Sequence, residues 1–142
     1  MATIVHDDFR DAALGKPDAT VSTIDFDADN IDVSLLDETD SGTVTSSFID
    51  YDEVDAATVV ATTDVASITI GIVGTGVLDA ANTTFTSVTG DAADFLTLWK
   101  NSGTPASSPL AVTFDSATTG LPVTPNVGDI EVQWAAGGIQ TI

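Results

Sequence analysis

A short acidic segment at positions 25–32, with the sequence DFDADNID, could bind a metal ion. Carboxylate and amide oxygens at alternate positions are typical ligands of calcium in a protein loop. The order D-x-D-N-x-D matches the start of an EF-hand loop, the calcium-binding loop between two helices. Glu38 is at the twelfth position counted from Asp27, where an EF-hand loop has a glutamate. However, the sixth position is Asp32, where the loop needs glycine, and the flanks are typical of strands. We therefore take Asp27, Asp29 and Asp32 as candidate ligands of calcium or another cation, and we predict no other cofactor.

Other residues that could support catalysis are few or form no pattern. Asp50, Asp52 and Asp55 form a second, weaker acidic cluster of the kind that could bind a cation. A pair of carboxylates could also hydrolyse a glycosidic bond, but no acid stands in an apolar, aromatic setting that would mark it as a general acid. His6 is the only histidine and no G-x-S-x-G motif is present, so no Ser-His-Asp triad is indicated. We expect His6 to be an exposed residue, and we predict that the protein is not an enzyme.

The charge of the chain restricts its partners. It contains 22 Asp and Glu residues but only 3 Lys and Arg residues, which gives a formal net charge of −19, and it has no cysteine. Such a chain is repelled by nucleic acid and by anionic membranes, so neither is a predicted partner. At low salt the folded state repels itself, and molar salt screens that repulsion because the Debye length falls to about 3 Å. The composition favours a protein of a salt-loving organism or of a virus that infects one.

Hydrophobic periodicity places these residues on strands and loops. Alternation over residues 24–36 predicts two extended pieces around a turn at 27–30, and the second has Ile31, Val33 and Leu35 on one face. Residues 37–56 are polar and predict a long loop with room for one helical turn.

Further strands are predicted in the middle of the chain. Residues 58–62 and 66–73 favour strands around a turn at Thr63-Asp64, followed by short extended pieces at 77–78 and 84–86.

The start of the chain predicts the one helix. Residues 4–15 favour a short helix that Asp7 or Asp8 would cap, with Phe9 on its apolar face and Gly15 at its end.

The last third of the chain contains three apolar runs that predict the centre of the fold. Residues 95–99 are almost continuously apolar, which indicates a strand covered on both faces, while residues 110–114 and 130–134 alternate, which indicates one buried face each. We predict that these are three antiparallel strands that form the core, with Trp99 and Trp134 as core residues. The fold class is therefore predicted as all-β: a single antiparallel β-sandwich or barrel-like domain over residues 1–142, with a short N-terminal helix.

Both ends of the chain are predicted to extend from this domain. Residues 1–20 form an N-terminal arm that includes the helix, and residues 135–142 form a nearly uncharged C-terminal tail. Ile139 and Ile142 follow Gly137-Gly138 and are candidate assembly residues, because an apolar tail can add a strand to a neighbouring subunit. The alternative is that the tail completes the sheet of its own chain.

The order of several segments resembles a group of small structural proteins of tailed double-stranded DNA viruses. The resemblance covers most of the chain from Ile24 and consists of these segments in order: IDFDADNIDVSLLD, VLDAANTTFTSVTGD, FLTLWKNSG, SPLAVTFD, TGLPVTPNVGDIEVQW and a terminal GGI. Such proteins are head accessory proteins, that is, capsid decoration, cement or turret proteins, and some lie at the head–tail junction. In this group the early strand usually carries a lysine where this chain has Asp32, a difference that fits a saline host.

The resemblance implies a structural virion protein that is made in the host cytoplasm and lies on the capsid surface. Its implied partners are copies of itself and the major capsid protein or other virion proteins. Alternatives of other classes are a calcium-dependent adhesion or carbohydrate-binding module and a small hydrolase that uses a carboxylate pair.

Overall fold

The computed structural model describes residues 3–13, 24–37, 44–54, 59–70, 77–115, 120–134 and 140–141. Ten strands and one α-helix lie in these ranges: β1 Thr3–Val5, α1 Asp7–Ala13, β2 Ile31–Leu36, β3 Val59–Asp64, β4 Thr69–Ile70, β5 Val77–Asp79, β6 Thr83–Phe85, β7 Phe95–Lys100, β8 Leu110–Phe114, β9 Ile130–Val132 and β10 Gln140–Thr141. Short 3₁₀ helices lie at Tyr51–Glu53 and Pro105–Ser107. All strand pairs are antiparallel, so the prediction of an all-β fold with one short N-terminal helix is confirmed.

The main sheet has five strands in the order β1-β8-β7-β2-β3. Its central pair, β2 and β7, is in continuous register from Ile31 opposite Lys100 to Leu36 opposite Phe95. A second sheet has three strands in the order β10-β5-β4, and a third sheet consists of β6 and β9. The predicted central trio of strands is therefore partly wrong: β7 and β8 are neighbours, but β9 pairs with β6 in a separate sheet.

One face of the main sheet, which we call the core face, packs against the small sheets. Val33 and Leu98 are opposite one another on this face and are fully buried. Phe85 and Leu78 from the small sheets join the same apolar cluster, as do Phe9 of α1 and Phe26. Burial of this apolar surface is the main favourable term in folding, at about 25 cal/mol per Å² removed from water.

The opposite face, which we call the loop-covered face, is also buried. Leu36, Phe95 and Leu110 lie there under Val44 and Val54, which belong to the segment 44–54. Because this segment covers the sheet, every residue of β2 and β8 is buried, including Ser34 and Thr113. The prediction of one buried face for 110–114 was therefore wrong, while the prediction of two covered faces for 95–99 is confirmed.

Two local predictions differ from the structure. The predicted turn at Thr63-Asp64 is instead the end of β3, where both residues pair with β2 opposite Val33 and Asp32. The predicted helix over residues 4–15 begins only at Asp7, because Thr3–Val5 form β1 and pair with β8. The predicted helix end at Gly15 lies outside the described residues. No helix in the described parts of the chain has both the length and the apolar character needed to cross a membrane.

Candidate functional site at the composite edge of the main sheet

One edge of the main sheet consists of two chain segments placed end to end. Strand β1 lies opposite residues 112–114 of β8, and the His6 backbone N–H donates to the Ala111 carbonyl at 3.1 Å. Residues 49–51 then continue along β8: the Leu110 N–H donates to the Ile49 carbonyl, and the Tyr51 N–H donates to the Ser108 carbonyl, both at 2.8 Å. We call residues 3–6 and 49–51 together the composite edge.

The composite edge presents backbone groups outwards. In an antiparallel pair, residues alternate between those that bond to the neighbouring strand and those whose N–H and C=O point away from it. Because His6 bonds to Ala111, the backbone groups of Thr3 and Val5 point away from β8. Within the described ranges no strand pairs with the outer side of β1, and Ile49 is 41% exposed. An unpaired edge of this kind is a template for another strand.

His6 joins the two segments of the composite edge. Its side chain is fully buried, so the prediction of an exposed histidine was wrong. The Nδ1 atom lies 3.0 Å from the Phe48 carbonyl oxygen, and Nε2 lies 3.0 Å from Thr113 Oγ1. A carbonyl can only accept, so Nδ1 carries the proton and neutral His6 accepts from the Thr113 hydroxyl through Nε2. Thr113 in turn accepts from Thr97, whose Oγ1 is 2.8 Å away.

The surroundings of His6 keep its ring neutral. Burial lowers the pKa of His6 below its ordinary value of 6.5, and this outweighs the opposing effects of the Phe48 carbonyl and of the carboxylates of Asp7 and Glu53. Desolvation penalises the charged form of an imidazole. A neutral ring that is bonded at both nitrogens serves as a structural link between β8 and the segment 44–54.

Ser34 is a second buried link between the segment 44–54 and the sheet. Its hydroxyl lies 3.0 Å from Trp99 Nε1, 2.9 Å from the Tyr51 hydroxyl and 2.7 Å from Thr62 Oγ1. The indole can only donate, so Ser34 accepts from Trp99 and uses its remaining donor and acceptor capacity on Tyr51 and Thr62. All hydrogen-bonding capacity of this hydroxyl is therefore satisfied inside the protein.

Trp99 and Trp134 have different surroundings. Trp99 is 6% exposed, and the Tyr51 ring stacks on it with 3.8 Å between centroids and 10° between planes. Its prediction as a core residue is confirmed, because Tyr51 covers the face that a sugar or base would need. Trp134 lies beyond the end of β9 and is half-buried against Phe114, and its Nε1 donates to the Ala81 carbonyl at 3.1 Å.

An open groove lies beside the Tyr51–Trp99 stack, with a volume of about 860 Å³. The polar residues that line it include Asp32, Asn101, Asp52 and Glu53. Asn101 Nδ2 donates to Asp32 Oδ2 at 2.8 Å, and Glu53 accepts from the backbone N–H of Ile49 and of Asp50. Asp32, Asn101 and Glu53 are thus hydrogen-bonded to other groups of the protein.

The three predicted cation ligands have separate environments. Asp27 is exposed, and its backbone N–H donates to Asp25 within the turn. Asp29 lies 3.0 Å from Lys100 Nζ, and the pKa of Asp29 is lowered first by the Asp25 backbone N–H and then by Lys100. Asp32 is buried in β2 and bonded to Asn101. In the residues that the structure describes, no three His, Asp or Glu side chains group as a metal site would, and calcium binding at these positions stays a prediction.

Acidic residues lie around the composite edge. Burial raises the pKa of Asp50, and the negative charges of Asp52, Glu53 and Asp8 raise it further. Like charges near one another disfavour ionisation. The helix α1 and the 3₁₀ helix at 51–53 therefore place mutually repelling carboxylates beside an edge strand, Thr3–Val5, that has no charge of its own.

The described part of the C-terminal tail pairs with a strand of its own chain. Gln140 and Thr141 form β10 and pair with Leu78 and Val77 of β5. This pairing corresponds to the alternative in which the tail completes its own sheet. The candidate assembly residues Ile139 and Ile142 lie outside the described residues, so their assembly role stays a prediction.

The chain matches no protein-family model, and no curated protein is significantly similar to it.

Proposed function

We propose that the protein is a structural subunit of a virion, of the capsid decoration, cement or turret type, which associates with copies of itself and binds the capsid surface of a tailed virus with a halophilic host. The observation that carries the proposal is the composite edge, where Thr3 and Val5 direct backbone donors and acceptors away from the sheet. Addition of a strand to an open edge is a common mode of protein association, and a repeated subunit covers such an edge with its neighbour.

The distribution of charge supports association in salt. The chain carries a net charge of −19, so two copies repel each other strongly in dilute buffer. The edge strand Thr3–Val5 itself is uncharged. Molar salt screens the carboxylates around it, and the apolar and backbone contacts of the edge then decide whether copies associate.

The hydrogen bonds of the buried polar side chains support the proposal of a rigid structural subunit. His6, Ser34 and Trp99 form hydrogen bonds with other residues of the protein and connect the sheet with the segment 44–54. Satisfied buried polar networks rigidify a structure. A rigid subunit suits a shell that bears mechanical load, and the sequence resemblance to head accessory proteins points the same way. A structural role at the head–tail junction or in the tail is the alternative within the same class.

The experiment is a measurement of molecular mass in solution by light scattering, between 0.1 M and 3 M KCl. We expect a homo-oligomer of defined size at high salt and dissociation at low salt. A monomer at every salt concentration would contradict the proposal.

A proline at the edge tests whether the composite edge forms the contact. Thr3→Pro removes one outward N–H and leaves the hydrogen bonds to β8 in place, since proline is tolerated at the first residue of an edge strand. We expect Thr3→Pro to weaken association at least about tenfold, equivalent to about 1.4 kcal/mol, with the melting temperature of the monomer unchanged. Thr3→Ala is the matched control and should associate like the natural protein.

A further inference from the structure

We infer that Val127 of one copy packs against Ile49 on the composite edge of the next copy. This contact rests on the proposed self-association and names the surface of the second copy that covers the composite edge. Among the described residues, these two are the large apolar side chains exposed to solvent, Val127 at 72% and Ile49 at 41%. A single exposed apolar side chain is ordinary on a protein surface, but the backbone of Val127 is not.

Val127 is held outwards in a conformation that is unfavourable for valine. Its φ of 69° lies in the left-handed region, which glycine and asparagine tolerate and which a β-branched residue avoids. The Val127 N–H donates to the Val88 carbonyl, and the Val88 N–H donates to the Gly128 carbonyl, both at 3.0 Å. Residues fixed in strained conformations cluster at functional sites. Because glycine or asparagine would suit this backbone better, we attribute the valine to a contact that its exposed side chain makes outside the chain.

Val127 and Ile49 lie on opposite sides of the main sheet. Ile49 is bonded to β8 in line with β1, whereas Val88, the partner of Val127, follows β6, which packs against β3. Gly90 in the same loop lies against Val60 of β3. Strands β1 and β3 are the two outer strands of the five, roughly 19 Å apart at about 4.8 Å per strand spacing. A contact between two such different surfaces joins copies head to tail, and it closes a ring where the rotation between copies permits.

The distribution of charge favours this head-to-tail contact over a contact between two composite edges. Two composite edges in contact would oppose their own carboxylates, which include Asp50 and Glu53. Residues 120–128 contain no charged side chain. The carboxylate of the next residue, Asp129, accepts from the Ser87 backbone N–H at 2.8 Å. The loop that presents Val127 can therefore meet an acidic edge without bringing like charges together, which matters for a chain with a net charge of −19.

Substitutions at position 127 test the apolar contact by light scattering in 3 M KCl. Val127→Thr and Val127→Ile both keep a β-branched side chain and its backbone restriction, but only threonine places a hydroxyl where valine has a methyl group. We expect Val127→Thr to weaken association at least about tenfold, because a hydroxyl is costly to bury in an apolar contact. Val127→Ile is the matched control and should associate at least as well as the natural protein. Both should keep the melting temperature of the monomer in 0.1 M KCl.

A third variant separates the contact from a role in folding. Val127→Asn removes the apolar side chain and suits the left-handed backbone. We expect its monomer to melt no lower than the natural monomer while its association in 3 M KCl is lost. A lower melting temperature with unchanged association would show that Val127 serves its own chain, and would overturn the contact.

The absence of cysteine from the chain permits a direct test of the partner. Chains with Ile49→Cys are mixed with chains with Val127→Cys in 3 M KCl and oxidised, and mass spectrometry identifies the linked positions. We expect linked dimer from the mixture and not from either variant alone. The two positions of one chain are too far apart for a disulfide, which needs Cα atoms within about 7 Å. The double variant Ile49→Cys/Val127→Cys should therefore give a ladder of linked chains.

The outcomes separate this contact from the proposed function. An oligomer at high salt that Val127→Thr leaves intact, or that forms no bond between positions 49 and 127, would overturn the contact and leave the structural role standing. Linkage of position 127 to position 127 of another chain would overturn it as well, in favour of a symmetric contact. A natural protein that stays monomeric at every salt concentration would overturn both the contact and the proposed function.

Discussion

The Nδ1 atom of His6 lies 3.0 Å from the carbonyl oxygen of Phe48, a residue 42 positions further along the chain. This hydrogen bond holds together the two segments that form the composite edge of the main sheet. A neutral ring allows Nε2 to accept from the Thr113 hydroxyl at the same time, whereas protonation of Nε2 would remove that acceptor. The protonation state of one side chain is thus linked to the integrity of the edge at which we propose that copies associate.

The linkage predicts a specific loss of stability in acid. Burial lowers the pKa of folded His6 below 6.5, so the unfolded chain binds a proton that the folded chain does not. The contribution of His6 is fully present above pH 6.5 and is lost as the pH falls towards the lowered pKa of the folded state. Relative to His6→Gln, the free energy of unfolding of the natural protein should fall by at most about 1.4 kcal/mol per pH unit in this window.

Urea unfolding at several pH values between 7.5 and 5 checks this, with His6→Gln as the comparison because both chains share all other titrating groups. A constant difference between the two chains across this range would contradict a buried neutral histidine.

Ser34 is predicted to be the most sensitive polar residue of the loop-covered face. Ser34→Ala leaves the buried indole N–H of Trp99 without its acceptor at 3.0 Å and removes a partner of Tyr51. An unsatisfied buried donor costs about 1–3 kcal/mol. Chemical unfolding of Ser34→Ala should show a loss of this size, whereas Ser107→Ala, in an exposed hydroxyl cluster, should stay within about 0.5 kcal/mol of the natural protein.

A double-mutant cycle with Tyr51→Phe measures the shared part of this loss. Because Ser34 and Tyr51 are in one network, the two losses should not add. Strict additivity would show that the Ser34–Tyr51 hydrogen bond contributes nothing to stability.

The cross-strand pair of Asp32 and Asp64 is predicted to destabilise the fold at neutral pH. The two residues are directly opposite each other. The pKa of Asp32 is raised, first by burial and also by Asp64, against the lowering effect of the hydrogen bonds from Asn101 and Asn30. Since the folded state binds this proton more tightly than the unfolded state, Asp32 adds stability as the pH falls through its raised pKa, and this contribution is lost as the pH rises.

Replacement of Asp64 should therefore stabilise the protein. Asp64→Asn is expected to raise the free energy of unfolding at pH 7 in 0.1 M KCl by about 0.2–1 kcal/mol, the range for directly opposed pairs. Asp91→Asn makes the same change of net charge at an exposed position away from Asp32 and should stabilise less. The difference between the two variants should shrink in 3 M KCl, and an equal effect of both would show that the pair itself is unimportant.

The sequence was sufficient for features that depend on local alternation. The pattern around Val33 predicted β2, and the apolar run at 95–99 predicted a strand covered on both faces. It was insufficient where the partner is distant. No residue near His6 in the sequence indicates that its ring would form a hydrogen bond with Thr113, which is 107 positions away. The burial of Ser34 likewise depends on a distant part of the sequence, the segment 44–54, which folds over the sheet. Short strands such as Thr3–Val5 have too few residues for a period to show.

The final prediction concerns the C-terminal tail, for which the sequence left two alternatives. Gln140 and Thr141 pair with Leu78 and Val77, so deletion of residues 139–142 removes β10 from its sheet and exposes backbone groups of β5. We expect the truncated chain to have a lower melting temperature, measured at equal salt and protein concentration. A melting temperature equal to that of the full chain, together with loss of the oligomer, would instead support an assembly role for the whole tail.

The side chains of Ile139 and Ile142 are tested separately by Ile139→Ser and Ile142→Ser, which keep the backbone that forms β10. If these isoleucines dock on a neighbouring subunit, each contributes about 1.5–3 kcal/mol of apolar burial before the cost of ordering. The serine variants should then keep the melting temperature of the monomer at low salt and lose the oligomer at 3 M KCl, as judged by light scattering. A fall in the monomer melting temperature with unchanged association would place both side chains in the core of their own chain.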